Sequence, residues 1–304
     1  MVWRKRLWIP GVFLLLVAAL GTAFYLRPVG FFNAQVDFQM RAQGIESRWV
    51  KVAGYKVHYI ALGPENGSPV VLVHGLGGHV EDWRNLMPYF AGAGFRVYAL
   101  DLPGYGKSEQ PKDFSYSVAD EANVVVGFLD ALGLRQVDLG GHSMGGWIVQ
   151  LVAYHHPERV RRLMIFDSVG LDEKPTWDTK LFTPVNADEL WQLELLLYPN
   201  PPRSPEFITK DILRISAKNA WVIKKALAAM LSEADDVTDE KLPQLKMPVL
   251  FVWGDLDKTT PLSLGEKMHA LVPQSKLEIA KGCGHMAPVM CADQIGPVLQ
   301  GFLR

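Results

Sequence analysis

Val137-Asp-Leu-Gly-Gly-His-Ser-Met-Gly-Gly-Trp-Ile-Val149 is the stretch on which the reading of the fold turns. Val137-Asp-Leu139 reads as a short buried strand and residues 145–156 as a helix, so Gly141-His142-Ser143-Met144-Gly145 falls at a strand-to-helix junction. Glycines around Ser143 permit a turn sharp enough to push that serine out at the carboxyl edge of a sheet. The N–H groups that open the following helix would face any negative charge developing beside it. A bare G-x-S-x-G arises by chance in many chains; between an apolar strand and a helix it is far more specific.

Working outward, runs of the same unbroken apolar type recur at Val70-Val-Leu-Val73, Arg96 to Leu100, Leu163 to Phe166 and Val249 to Val252. Such runs, lacking alternation, are expected in a parallel sheet covered on both faces. Trp49 to Val52 and Lys56 to Ile60 also read as strands, with Gly54-Tyr55 as the hairpin turn between them. Helical candidates lie near 82–92, 117–132 and 145–156. Strand and helix alternate, which argues for an α/β fold with a mostly parallel sheet and helices on both faces. About eighty residues separate Phe166 from Val249, far more than an ordinary crossover. They hold Trp177, Phe182, Trp191, Tyr198, Phe207 and Trp221, with helical spacing near 188–197 and 217–231. We read 172–240 as an inserted helical cap on a core made of 48–171 and 241–304.

The first residues differ in kind. Arg4, Lys5 and Arg6 precede Leu7 to Leu26, a run of some twenty uncharged residues, long enough for one membrane span. Residues 1–27 are therefore expected to anchor the chain and 28–47 to form an irregular stem. The positive-inside rule leaves the N-terminus in the cytoplasm and the globular part on the non-cytoplasmic side. The alternative is a cleavable signal segment, cut near Gly21-Thr22-Ala23, giving a secreted or periplasmic protein.

The formal charge of −1 offers no basic surface for nucleic acid. Cys283 and Cys291 are too few for a disulfide framework, and neither belongs to a zinc-type CxxC pair. They read as two buried thiols, with a disulfide as the alternative outside the cytoplasm. No metal or cofactor is called for.

A serine nucleophile needs a base within hydrogen-bond reach. Downstream of Ser143 stand His155, His156, His269 and His285. The first two lie late in the helix after Ser143, and His269 falls inside another helix. His285 sits in the loop Gly282-Cys-Gly-His285 after a strand at 276–279, where an imidazole can reach Ser143. An acid must then orient that imidazole and stabilise its charged form. Asp255 and Asp257 in the exit loop of the 249–253 strand, and Asp167 after the preceding strand, all qualify. The developing oxyanion needs two N–H donors: Met144, next to the nucleophile, and Leu76 in the glycine loop His74-Gly-Leu-Gly-Gly78. His74 itself reads as a structural hydrogen-bonder.

Five ordered motifs, His74-Gly75, Asp101-Leu-Pro-Gly-Tyr-Gly-Lys-Ser108, Gly141 to Gly145, Trp253-Gly-Asp-Leu-Asp257 and Gly284-His285, resemble the α/β-hydrolase superfamily from about Val50 to the C-terminus. The resemblance implies an α/β-hydrolase fold with its lid inserted after the sixth strand. It also ranks Asp257, followed by Pro261, above Asp255 and Asp167 as the acid. Serine at the nucleophile position departs from the dehalogenases and epoxide hydrolases, which carry aspartate there. The glycine loop lacks the proline frequent in carbon–carbon bond hydrolases. With its apolar N-terminus, the chain looks similar to membrane-anchored monoacylglycerol-lipase-like enzymes and related bacterial lipases. The activity expected on this basis is hydrolysis of carboxylic esters, lipophilic acyl or monoglyceride-type, through an acyl-enzyme. Alternatives are a carbon–carbon bond, lactone or amide hydrolase with the same triad, or a ligand-binding module without turnover.

Overall fold

The computed structural model describes residues 8–232 and 236–304, with backbone alone for 8–11. In chain order, α1 (Trp8–Leu26) and α2 (Pro28–Ala42) lead into β1 (Glu46–Val52), β2 (Tyr55–Leu62) and β3 (Pro69–Val73). Next come α3 (Met87–Gly92), β4 (Arg96–Leu100), α4 (Val118–Ala131), β5 (Val137–His142), α5 (Met144–His155) and β6 (Val160–Phe166). The insertion supplies α6 (Ala187–Leu197) and α7 (Glu206–Ser232). Finally β7 (Val249–Gly254), α8 (Leu262–Leu271), β8 (Lys276–Ala280), α9 (Ala287–Met290) and α10 (Ala292–Leu303) complete the body.

The strands form one sheet in the order β1-β2-β4-β3-β5-β6-β7-β8. Pairing is antiparallel for β1 with β2 and β2 with β4, and parallel everywhere else. Because strand side chains alternate, an unbroken apolar run feeds two cores at once. Val71, Val73, Phe251 and Trp253 pack on one face with α4, α5 and α8. Val70, Leu72, Leu250 and Val252 pack on the other with α3 and α10. Each of these side chains is about 1% exposed or less, a burial that stabilises by about 1.5–3 kcal/mol per side chain. This is the α/β-hydrolase sheet, mostly parallel and wound on both faces.

Some expectations shift. The hairpin turn falls on Ala53-Gly54, at φ 50° and 97°, because both central residues of this tight turn need positive φ; Tyr55 already belongs to β2. The helix read at 82–92 is a 3-10 turn over Val80–Trp83 followed by the short α3. Pro88 lacks an N–H and fits only the first helical turn, so α3 starts at Met87. In the insertion, α7 begins at Glu206, earlier than the spacing suggested.

The expectation of an irregular stem over 28–47 is overturned. Pro28 sits in the first turn of α2, where its fixed φ favours a helix, and Val36 and Met40, one turn apart, are buried. Arg27 offers α2 no side-chain cap. Instead the Asp211 carboxylate of α7, itself 3% exposed, accepts the Val29 N–H at 3.1 Å, so the cap is supplied from 182 residues away. Tyr25 stacks on Phe207 at 5.1 Å, fastening α1 to the same helix.

Nor is a single span over 7–26 supported. No single helix among the described residues is long and apolar enough to cross a membrane, although α1 and α2, bent by 99°, pass together by length and composition. Arg4, Lys5, Arg6 and Leu7 lie outside the described residues. Large apolar side chains are nonetheless exposed on both helices: Leu15 is 71% exposed and Phe38 is 72% exposed.

Replacing Asp211 by Ala should cost about 0.5–2 kcal/mol, the usual worth of a helix cap, read as a lower urea midpoint with faster proteolysis between α1 and β1. Asp211→Asn keeps an acceptor and should lose much less.

Candidate active site

Ser143 sits between β5 and α5 at φ 54° and ψ −119°. That conformation is costly for a residue with a Cβ, on the order of 1–3 kcal/mol, and neighbouring glycines make it attainable by letting backbones touch. A Cβ on Gly141 would lie 2.1 Å from the Gly145 carbonyl oxygen. A Cβ on Gly145 would lie 2.4 Å from the carbonyl oxygens of both Val73 and His74. The end of β3 is thereby pressed against the first turn of α5, and Gly75 abuts the Ser143 side chain. The Ser143 N–H is held by the Phe166 carbonyl at 3.0 Å.

From this turn Ser143 Oγ lies 3.0 Å from His285 Nε2, and His285 Nδ1 lies 2.9 Å from Asp257 Oδ2. Ser143 is 9% exposed, His285 2% and Asp257 7%, so the chain of hydrogen bonds runs through a nearly dry site. The other Asp257 oxygen accepts the amides of Thr259 and Thr260 at 2.7 and 2.9 Å. These bonds fix the carboxylate's orientation. The arrangement can deprotonate a serine hydroxyl during attack and return that proton to a leaving group.

The three candidate acids are separated by position. Asp255 turns away, accepting the Gly282 N–H at 2.7 Å with Lys281 nearby. Asp167 is fully buried and takes the Gly254 N–H at 2.8 Å. Burial, with the negative charge of Asp257 beside it, pushes its carboxyl well above the usual range. Among the histidines, His269 pairs with Ser275 at 2.6 Å, and His155 is exposed at the end of α5.

Two further residues escaped the sequence reading. The Thr260 hydroxyl lies 2.7 Å from Asp257 Oδ2 and 3.2 Å from His285 Nδ1, bracing that pair. His142 donates from Nε2 to the His285 carbonyl at 2.7 Å, tying the Ser143 turn to the His285 backbone. Burial, helped by His285, lowers the His142 pKa to about 3, so it is neutral and this donor is retained. His142 was visible only as a variable position in G-x-S-x-G; Thr260 had no signal beyond preceding Pro261. His74 donates from Nδ1 to the Gly75 carbonyl and accepts the Leu102 N–H, in keeping with a structural part.

Met144 opens α5, where amides precede the helix's own hydrogen-bond ladder. Leu76 follows Gly75, which abuts Ser143, and a Cβ on Gly77 would touch Ile223 of α7. Val222, Ile223 and Ala226 of α7 share a core with Met144 and Trp147, so the insertion closes over this corner.

A second chain of the same residue types exists. Ser47 Oγ lies 2.8 Å from His58 Nε2, and His58 Nδ1 lies 2.6 Å from Asp101. Ser47, however, lies within a strand rather than on a strained turn before a helix. Asp101 also accepts the amides of Val80 and Lys107, so it knots the Asp101–Ser108 loop to the sheet. Distances alone do not define a nucleophile; the donors around the hydroxyl do.

Cys283 and Cys291, expected as buried thiols, are joined in a disulfide. Both are buried, at 0% and 8% exposure. Short α9 returns the chain so that the two Cα atoms stand 6.4 Å apart, within bonding range. Among the described residues no group of His, Cys, Asp and Glu could hold a metal ion.

Comparison with known proteins agrees with this architecture. Residues 68–211 and 216–289 match the alpha/beta hydrolase fold family, and the chain belongs to it as a hydrolase. The 2-hydroxymuconate semialdehyde hydrolase of Pseudomonas putida is 30% identical over 84% of this chain and 93% of its own. Lipase 1 of Psychrobacter immobilis is 24% identical over 98% and 96%. Among solved structures, a bacterial membrane phospholipase A superposes with a TM-score of 0.82 at 26% identity, covering 98% of each chain.

Asp257→Asn should lower kcat by about 10⁴-fold, the loss known for mis-set imidazole tautomers. Asp167→Asn and Ser47→Ala should leave steady-state rates nearly unchanged. His142 also sets an acid limit. Its depressed folded-state pKa means that the unfolded chain binds an extra proton below pH 6.5. The stability this residue contributes is complete above pH 6.5 and is lost as pH falls toward about 3. His142→Gln, which keeps a donor, should flatten the acid limb of urea midpoint against pH.

Proposed function

We propose that this hydrolase cleaves carboxylic esters with lipophilic acyl chains, monoglyceride-type esters among them, through an acyl-enzyme. The observation that carries the reading is the unbroken line from Ser143 Oγ through His285 to Asp257, set on a strained turn at the start of α5. Ser143 attacks the ester carbonyl while His285 takes its proton. Asp257 holds the imidazole in the tautomer that leaves Nε2 free to accept. The N–H groups of Met144 and Leu76 stabilise the oxyanion, each worth roughly 2.7–4 kcal/mol in the transition state. His285 then protonates the departing alcohol, and water releases the acid by the same route in reverse.

The lipophilic preference rests on two supports. The cap's inward side is apolar, with Trp221, Val222, Ile223 and Met230 packed toward the core. Exposed apolar side chains also line the described part of α1 and stud α2, where Phe31, Phe32 and Phe38 stand among polar residues. We take this surface as the membrane-facing part, with the catalytic body on the non-cytoplasmic side. The likeness to Lipase 1 and to the membrane phospholipase A extends over 98% of the chain, too complete to leave α1 and α2 out. The likeness to the semialdehyde hydrolase favours a second reading, carbon–carbon bond cleavage by the same triad.

Rates on p-nitrophenyl esters should rise from acetate through medium acyl chains, with fluorophosphonate labelling confined to Ser143. A preference for acetate alone would contradict the lipophilic reading. Faster turnover of 2-hydroxymuconate semialdehyde than of any ester would establish the second reading instead.

A further inference from the structure

His285 is carried by a segment with little regular structure of its own. Gly282, at φ 72°, and Gly284 stand either side of Cys283. A Cβ on Gly284 would meet the Leu197 carbonyl and the Pro199 ring, so close packing excludes a stiffer residue there. The non-covalent ties of this segment include the Gly282 N–H on Asp255 at 2.7 Å, the Gln294 side chain of α10 on the Lys281 backbone at 3.0 Å, the Leu256 N–H on the Cys283 carbonyl at 2.9 Å, His142 on the His285 carbonyl, and the Met286 N–H on the Leu197 carbonyl at 3.4 Å. The last partner belongs to the insertion rather than the core.

The disulfide adds an anchor of another kind. Cys291 is the N-cap residue of α10, and its carbonyl accepts the amides of Gln294 and Ile295 at 3.0 Å each. Ile295, Leu299 and Leu303 are 1%, 0% and 3% exposed, so α10 is fixed in the core. The bond therefore fastens the chain two residues before His285 to a rigid helix.

We propose that Cys283 and Cys291 are positioning residues for His285, and that forming their disulfide completes the enzyme; this rests on the reading of Ser143 and His285 given above. The two thiols give up two electrons and two protons to the disulfide of a thiol–disulfide oxidoreductase, which leaves as a dithiol. Such a step suits the non-cytoplasmic side, where disulfides persist.

The test uses the full chain isolated from an oxidising compartment. Maleimide titration of the unfolded, unreduced protein should find no free thiol; two free thiols would overturn the proposal. Cys283→Ala/Cys291→Ala should keep cooperative unfolding and KM. Its kcat should fall by up to about 10²-fold, the scale set by an ångström of misplacement, and the limb of the pH–rate profile that reports the base should move. Native protein reduced with a phosphine should lose activity as two thiols appear and regain it on reoxidation. Unchanged kcat and pH profile in the double variant would refute the positioning role. So would loss of activity only in step with loss of cooperative unfolding, because the bond would then hold the fold rather than the base. Absence of turnover and of Ser143 labelling in the oxidised wild type would strike the hydrolase mechanism itself, a separate failure.

Discussion

Everything at the centre of this protein depends on how closely two stretches of backbone approach. The carbonyl oxygens of Val73 and His74 stand where a Cβ on Gly145 would be. That contact seats the end of β3 against the first turn of α5 and holds Ser143 in a conformation it would not adopt alone. The strain is local, but what maintains it is distributed. The parallel ladder on both sides of β5 and the two apolar cores make any relaxation of the turn expensive. The Ser143 side chain, the start of α5 and the glycine loop at Gly75 are thus held close together.

Around that turn, polar groups are sorted by what each is allowed to do. Asp257 and Asp167 are close enough to feel each other's charge, and with burial this pushes the Asp167 carboxyl well above its usual range. Asp257 is surrounded by donors from Thr259 and Thr260 and faces His285, whereas Asp167 is enclosed and takes the Gly254 N–H. The Ser47–His58–Asp101 chain makes the same point from the other side. It has comparable distances but lies on a flat strand, and its aspartate is committed to loop amides. Reactivity follows from the surrounding donors and from strain, more than from the presence of three residue types.

The insertion links this centre to the N-terminal helices. One end of α7 caps α2 through Asp211 and stacks on Tyr25, and a residue further along it reaches the glycine loop at Gly77. A 27-residue helix spans the distance between these contacts. The N-terminal helices and the glycine loop beside Ser143 are consequently joined through α7.

Much of this was legible in the residues themselves. Unbroken apolar runs announced strands buried on both faces, and their alternation with helical periods announced the wound sheet, because periodicity is a local property of the chain. That Ser143 and His285 would meet was legible for the same reason: each sits in a glycine-bearing loop at a strand's end, and chain order limits the pairing. The tertiary structure alone decided what depends on partners remote in sequence. The supposed stem is helical because its cap comes from Asp211. Cys283 and Cys291 pair because α9 folds the chain back between them. Asp257, rather than Asp255 or Asp167, lies against His285 because of where the folded loops place each carboxylate. Periodicity and motif order are written along the chain, whereas burial, strain and long-range hydrogen bonds exist only once it has folded.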